Sequence, residues 1–240
     1  MILAIDAGNT RIKWGLWEDR GFVAQGSILT SRAETLPDAL HMLARPAAAI
    51  GSNVAGAAVR TAIEAALSPW RIGVRWIISA AAQCVVSSRY ENPQQLGTDR
   101  WSALVGARAR CAQACVVANV GTAVTVDAMT AQGEFLGGLI LPGLELMARA
   151  LASGTADLPL QPGRYETFPA NSVNAIRSGA TQAIAGAIER MARNMAEAGH
   201  GDPQLILSGG AAEVIVPVLG RPCTLVPTLV LEGLVAIAQA

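Results

Sequence analysis

An apolar run that ends in an acid or amide, then a glycine and a threonine, then a second apolar run, occurs twice in this chain. The first copy is MILAIDAGNTRIKWGLW, with Asp6, Gly8, Asn9 and Thr10 between two strand-like stretches. The second is CVVANVGTAVTVDAM, with Asn119, Gly121 and Thr122 at the turn and Asp127 on the second stretch. Asp6 and Asn119 stand close to half of the 240 residues apart, as a duplicated domain requires. A chain that repeats a strand–turn–strand unit at that interval is constrained to two related halves, each built around one hairpin.

The stretches around the two copies supply the rest of each half. Strand-like AAAIGSNVA, a helix from Arg60 to Leu67, a strand in VRWIISA and a helix from Asp99 to Gln113 follow the first hairpin. EFLGGLILPG, a helix through Glu145 to Leu151, a long helix from Asn174 to Ala198, the strand LILS and a final helix from about Leu231 follow the second. Strands that alternate with helices indicate an α/β architecture, and hairpins beside them indicate mixed rather than all-parallel sheets. No Pro/Gly/Ser-rich linker marks a boundary. We place it near Ala114, giving domains 1–114 and 115–240 that pack about a cleft.

Composition excludes several classes of function. With 52% hydrophobic and 15% charged residues the chain can bury a large core, which argues against disorder. Eighteen basic residues balance eighteen acidic ones, so there is no electrostatic footprint for nucleic acid or an acidic membrane. The opening MILAIDAGNT is interrupted by an acid and a glycine and reads as a strand, not a signal peptide. No apolar run reaches the roughly 20 residues of a membrane helix. Cys84, Cys111, Cys115 and Cys223 lack zinc spacing, so buried free thiols in a reducing cytoplasm are expected. His41 and His200 stand far from the motifs in sequence, which disfavours a histidine-based relay.

The turns themselves carry phosphate chemistry. Gly8 lets backbone approach an anion, and successive N–H groups in such a turn form an anion nest. Asn9 and Thr10 add neutral donors, and Lys13 is the one lysine of the chain, a compact cation suited to a phosphate oxygen. Asp6 ends a buried strand, where an acid requires a partner such as a hydrated magnesium ion. The competing reading is an ordinary hairpin with a surface lysine, and repetition weakens it. A third glycine turn, Gly209-Gly210 after LILS, allows backbone to approach a flat ligand or simply turns the strand into a helix. In YENPQQLGTDRWSALVGAR a turn brings Asp99 and Arg100 to a helix N-terminus, where free N–H groups favour anions. Asp99 is a candidate general base for a hydroxyl and Arg100 a fork for a carboxylate or phosphate; the plain alternative is a capping acid beside a solvated arginine.

In this order, DAGNTRIKWG, NPQQLGTDRW, VGTAVTVD, FLGGLILPG, NSVNAIRSG and LILSGGA resemble type III pantothenate kinase, also called the Bvg accessory factor family, over residues 1 to about 235. That family lies within the acetate kinase, sugar kinase, Hsp70 and actin superfamily. The resemblance implies two ribonuclease H-like (actin-like ATPase) domains with mixed sheets flanking an interdomain cleft. It implies ATP-dependent phosphorylation of pantothenate in a cytoplasmic homodimer. A nucleotide-binding regulatory protein without turnover, or a kinase of another small alcohol or sugar, is the alternative. Carried over by position, Asp6, Ala7, Gly8, Asn9, Thr10, Arg11, Ile12, Lys13 and Thr122 bind ATP with its magnesium. Tyr90, Gly97, Thr98, Asp99, Arg100 and Ser172 bind pantothenate, with Asp99 as proton acceptor. Ser172 stands where a threonine is usual and keeps the hydroxyl. The family's second hairpin normally begins with an aspartate that helps bind a monovalent cation, potassium or ammonium. Here Asn119 replaces it, offering an oxygen without charge, which weakens the expected cation site.

Overall fold

The computed structural model describes residues 1–240. Along the chain the first elements are β1 (Ile2–Ala7), β2 (Arg11–Glu18), β3 (Gly21–Leu29), α1 (Leu36–Leu40), β4 (Ala48–Asn53), α2 (Ala57–Leu67) and β5 (Val74–Trp76). A short hairpin, β6 (Ala82–Gln83) and β7 (Val86–Ser88), and helix α3 (Thr98–Arg110) come next. Then follow β8 (Cys115–Val120), β9 (Ala123–Met129), β10 (Glu134–Pro142), α4 (Leu144–Gly154), α5 (Ser172–Glu197), β11 (Gln204–Ser208), α6 (Ala212–Ile215), β12 (Cys223–Leu225) and α7 (Leu229–Gln239).

These elements form two compact units, Met1–Cys111 with Thr228–Ala240, and Ala112–Pro227. The division differs from a single cut at residues 114/115 because the last helix returns to the first unit. That helix is apolar over most of its surface, so its sequence does not say which core it fills. In the first unit the sheet order is β3-β2-β1-β4-β5, with β1 antiparallel to β2 and parallel to β4. Leu3, Ile5, Ala7, Ile12, Trp14 and Leu16 turn one way, into a core closed by Leu36 and Leu40 of α1 and Ile63 and Leu67 of α2. On the other face α7 packs against β1 and β4 and against α3. The two helices meet where Gly233 faces α3; a Cβ there would overlap the Ser102 carbonyl, so only glycine permits this crossing.

The second unit repeats the plan. Its strands pair in the order β12-β11-β8-β9-β10, with β8 antiparallel to β9 and parallel to β11. Val116, Ala118, Val120, Val124, Val126, Leu205 and Leu207 form one apolar face, covered by Ile184, Ala185, Ile188 and Ala192 of α5. Two ribonuclease H-like units with mixed sheets, as the resemblance implies, are therefore what the chain folds into. Strand-by-strand equivalence is close: in each unit the residue after the third strand donates its N–H to the hairpin turn, Thr30 to Thr10 at 2.9 Å and Gly143 to Thr122 at 2.8 Å. All four cysteines are free, and only Cys111 and Cys115 are buried; Cys84 and Cys223 are half-exposed, which corrects the expectation of four buried thiols.

Candidate active site

In the first unit, strand register places Lys13, Asp6 and Ser52 in one row across β2, β1 and β4. Side chains directly opposite in neighbouring strands share a face, so the three lie on the side away from the Ile5 and Ile12 core. Asp6 is 8% exposed, and its Oδ1 is buried with no hydrogen-bond partner. Burial first, then the like charge of Asp99, raise its pKa from 3.8 to about 7, and Lys13 offsets part of this. A buried carboxylate oxygen left without a donor is costly unless a ligand or a metal-bound water meets it.

The turn beyond Asp6 is tied down by backbone. The Gly8 N–H donates to Arg11 O at 3.0 Å, and the Thr30 hydroxyl donates to Gly8 O at 2.6 Å. Asn9, Thr10 and Arg11 are exposed at this turn, and the Arg11 guanidinium donates to Ser27 Oγ at 3.0 Å. The side chains of Ala7 and Ile12 belong to the core. Their expected part in nucleotide binding is thus confined to backbone.

Helix α3 brings the second acid. Gly97 is its N-cap and Thr98 and Asp99 open its first turn. Ahead of it, Asn92 Oδ1 accepts the Gln94 N–H at 3.2 Å, and Ser79 Oγ donates to Leu96 O at 2.8 Å. Thr98 Oγ1 and Ser52 Oγ share a hydrogen bond of 2.9 Å, which joins the helix to the row that holds Asp6. Asp99 Oδ1 accepts the Arg100 N–H at 2.9 Å. Burial raises its pKa, and the Arg100 N–H and guanidinium lower it in part. Arg100 is 4% exposed; its guanidinium donates to Tyr90 Oη at 3.0 Å and lies 5.7 Å from the centre of that ring. The plain picture of a solvated arginine does not hold. A buried cation beside a phenol and one acid, Asp99, is a setting for an anionic ligand.

In the second unit the corresponding row is Thr125, Asn119 and Ser208, across β9, β8 and β11. Thr125 and Ser208 are buried, and so is Asp127, on the same strand face as Thr125. Asn119 thus sits at the position Asp6 holds in the first unit, with two hydroxyls beside it. The Gly121 N–H donates to Ala123 O at 3.1 Å, in the manner of Gly8, and Thr122 is exposed at the turn. Gly209 has φ +95°, and a Cβ there would overlap the Val120 carbonyl. The Ala211 N–H reaches that carbonyl at 3.1 Å, so the third glycine turn packs beneath the second hairpin. Ser172 opens α5 and is exposed, behind Asn171, whose Oδ1 caps the helix through the Asn174 N–H at 2.9 Å.

The fold therefore gathers Asp6, Lys13, Thr98 and Asp99 in the first unit, with Gly97, Arg100 and Tyr90 on the same helix entry. Thr122 and Asn119 share one hairpin of the second unit, and Ser172 opens α5, whose second turn reaches the start of α4 beside that hairpin through Arg177 and Glu145, 3.5 Å apart. Sequence reading passed over Ser52, Thr125 and Ser208. Ser52 and Ser208 stand next to or at the end of a strand parallel to the one that bears Asp6 or Asn119, and that alignment with the repeated acid or amide was the available signal.

Three sets of known proteins resemble this chain. The family model described as type III pantothenate kinase matches residues 2–194. The type III pantothenate kinase of Aromatoleum aromaticum is 48% identical over 239 residues, covering 100% of this chain and 98% of its own. That of Nitrosospira multiformis is 43% identical, covering 100% of this chain and 91% of its own. Among solved structures, a Sinorhizobium meliloti protein provisionally described as a 2-dehydro-3-deoxygalactonokinase superposes with a TM-score of 0.66 at 16% identity, covering 100% of this chain and 98% of that one. Component A of the (R)-2-hydroxyglutaryl-CoA dehydratase of Acidaminococcus fermentans superposes with a TM-score of 0.56 at 13% identity, covering 99% and 95%. At these identities the structures speak to the fold alone.

Proposed function

The chain belongs to the type III pantothenate kinase family, and we propose that it transfers the γ-phosphoryl group of ATP to the primary hydroxyl of pantothenate, the first step of coenzyme A synthesis. The observation that carries this reading is the meeting of two acids of different role in one unit, Asp6 buried and Asp99 half-buried. Asp6 offers an oxygen with no protein partner, and Asp99 stands on a helix N-terminus beside the buried Arg100. Asp99 accepts the hydroxyl proton as the new O–P bond forms, with Oδ1 held by backbone and the other oxygen turned to the substrate. Arg100 and Tyr90 answer the pantothenate carboxylate, with Gly97 and Thr98 shaping the entry and Ser172 adding a hydroxyl. The Gly8–Thr10 turn and Lys13 hold the phosphates, and Thr122 serves the equivalent turn of the second unit. Phosphoryl transfer passes through a loose transition state, so alignment and charge neutralisation supply most of the rate.

Asp6 fits a magnesium ion or one of its waters. No group of three or more His, Cys, Asp or Glu side chains gathers anywhere in the chain, so such an ion takes its remaining ligands from phosphate and water. When bound it neutralises charge that builds on the phosphate oxygens. A monovalent cation at Asn119 would meet amide and hydroxyl oxygens without a formal charge at that position. Coulomb attraction lost there is on the order of a few kcal/mol. We expect turnover to need more potassium than in relatives with aspartate, and Asn119→Asp to lower the requirement in a potassium titration at constant ionic strength. Indifference to potassium in both proteins would mean that no cation site operates.

No helix is long and apolar enough to cross a membrane; the cytoplasm as its place of work is our reading from the family resemblance alone. The second unit exposes Ile140 at 67%, Phe168 at 91% and Leu160 at 57%, with Leu139, Leu146 and Leu151 beside them in sequence on β10 and α4. Exposed large apolar groups in this number support a homodimer formed through that unit. Light scattering would return twice the 24.8 kDa chain mass, and a monomer at working concentration would remove the dimer. The reaction is tested by ADP release with and without pantothenate. ADP release that pantothenate fails to stimulate would overturn the kinase reading.

A further inference from the structure

A side chain given no part in the reaction above joins the strand beside Asp6 to the helical turn that carries Asp99. Ser52 is the penultimate residue of β4 with 0% exposure, and in the parallel register it is the neighbour of Asp6. Its hydroxyl bonds to Thr98 Oγ1 at 2.9 Å. Thr98 is fixed from its other end as well, since its carbonyl accepts the Ser102 hydroxyl at 2.8 Å. Two other ties of this helical turn run elsewhere. Trp101 Nε1 donates to Gln83 Oε1 at 3.1 Å, and Arg100 reaches Tyr90; neither partner lies on the sheet that carries Asp6. The Ser52–Thr98 bond is thus a direct side-chain link between the strand beside Asp6 and the turn that presents Asp99.

We propose that Ser52 is a positioning residue: through Thr98 it fixes where Asp99 stands relative to Asp6 and the phosphates, and so governs transfer rather than binding. This rests on the reading of Asp99 as the proton acceptor. Positioning matters here because a loose phosphoryl transfer depends on alignment, and a shift of about 1 Å in a catalytic group lowers turnover by up to ~10²-fold. Phosphate contacts at Gly8 and Lys13 belong to a different pair of strands. Arg100 keeps its own partner in Tyr90. Loss of the Ser52 hydroxyl therefore leaves both substrates bound and misplaces the base.

The test is a double-mutant cycle in kcat on the full-length enzyme, with Ser52→Ala, Thr98→Val and the two combined. Ser52→Ala is expected to lower kcat by ~10-fold or more, with KM for ATP and for pantothenate within about twofold of wild type. The double variant is expected to lose no more kcat than the worse single one. A purely structural serine would instead lower the melting temperature while the folded fraction turned over normally, and that result overturns the proposal. Multiplying losses in the double variant would overturn it too. Should Ser52→Ala fail to fold, Ser52→Cys keeps nearly the same volume with a weak donor, and the cycle is read on it. Asp99→Asn is measured alongside. If that variant turns over normally the base is misassigned, whereas coupling between positions 52 and 98 is still read from the cycle.

Discussion

Asp6 and Asp99 are both carboxylates whose pKa burial raises, but their surroundings differ and so do their predicted consequences. Asp99 has backbone donors at a helix N-terminus, which with Arg100 offset part of what burial adds. Asp99→Asn should cut turnover by ~10²-fold or more while ATP binding, followed by nucleotide fluorescence, stays near wild type. Turnover near wild type would take Asp99 out of the chemistry. Asp6 has no such donor, and its pKa stands at about 7 against 3.8 unfolded. Between those two values the folded state binds more protons than the unfolded one, so stability falls as pH rises across that window. The penalty is absent below about pH 4, complete above about pH 7, and on the order of a few kcal/mol. Without nucleotide or magnesium, Asp6→Asn should therefore gain in melting temperature over wild type as pH climbs from about 4 to 8. Curves that stay parallel would show that Asp6 is solvated or paired. At this scale the sequence displayed both acids, because their motifs are local. It hid Ser52, which becomes Asp6's neighbour only through a parallel pairing with a strand some 40 residues away.

Among the elements, the hairpins and most of the strands and helices beside them were legible, whereas what packs beneath the hairpins was not. Alternation in IKWGL and VTVDA marks strands by itself, and the structure places β2 and β9 there. Gly209 shows what local pattern conceals. Read along the chain it ends a strand; in three dimensions it stands against the Val120 carbonyl at φ +95°, below the hairpin that bears Asn119 and Thr122. A side chain there must pay both an unfavourable backbone conformation and a carbonyl overlap. Gly209→Ala should cost about 2 kcal/mol or more in denaturant unfolding. Gly210→Ala, where a Cβ meets nothing within 4 Å and φ is not positive, serves as the control. Equal, small effects at both positions would show that the turn relaxes freely.

Duplication organises the whole molecule and also explains where sequence reading stopped. Two copies of one hairpin announced two units, and the rows Lys13–Asp6–Ser52 and Thr125–Asn119–Ser208 show that the copies extend to a third strand. The first unit is nonetheless discontinuous. Helix α7 leaves the chain of the second unit at Thr228 and buries Leu229, Val230, Leu231, Leu234, Val235 and Ile237 in the first. An apolar helix carries no record of its destination; only packing against Gly106 of α3 and the strands β1 and β4 decides it. Since α7 supports α3, and α3 presents Asp99, stability of this last helix and catalysis are linked. Leu234, with 0% exposure, is the point to probe, because Leu→Ala in a core costs about 2–5 kcal/mol. Leu234→Ala should lower the unfolding free energy by that amount. A chain ending at Pro227 should lose turnover altogether, though every residue assigned to the reaction remains in it. If the shortened chain keeps both its melting temperature and its turnover, α7 is an appendage and the first unit folds without it.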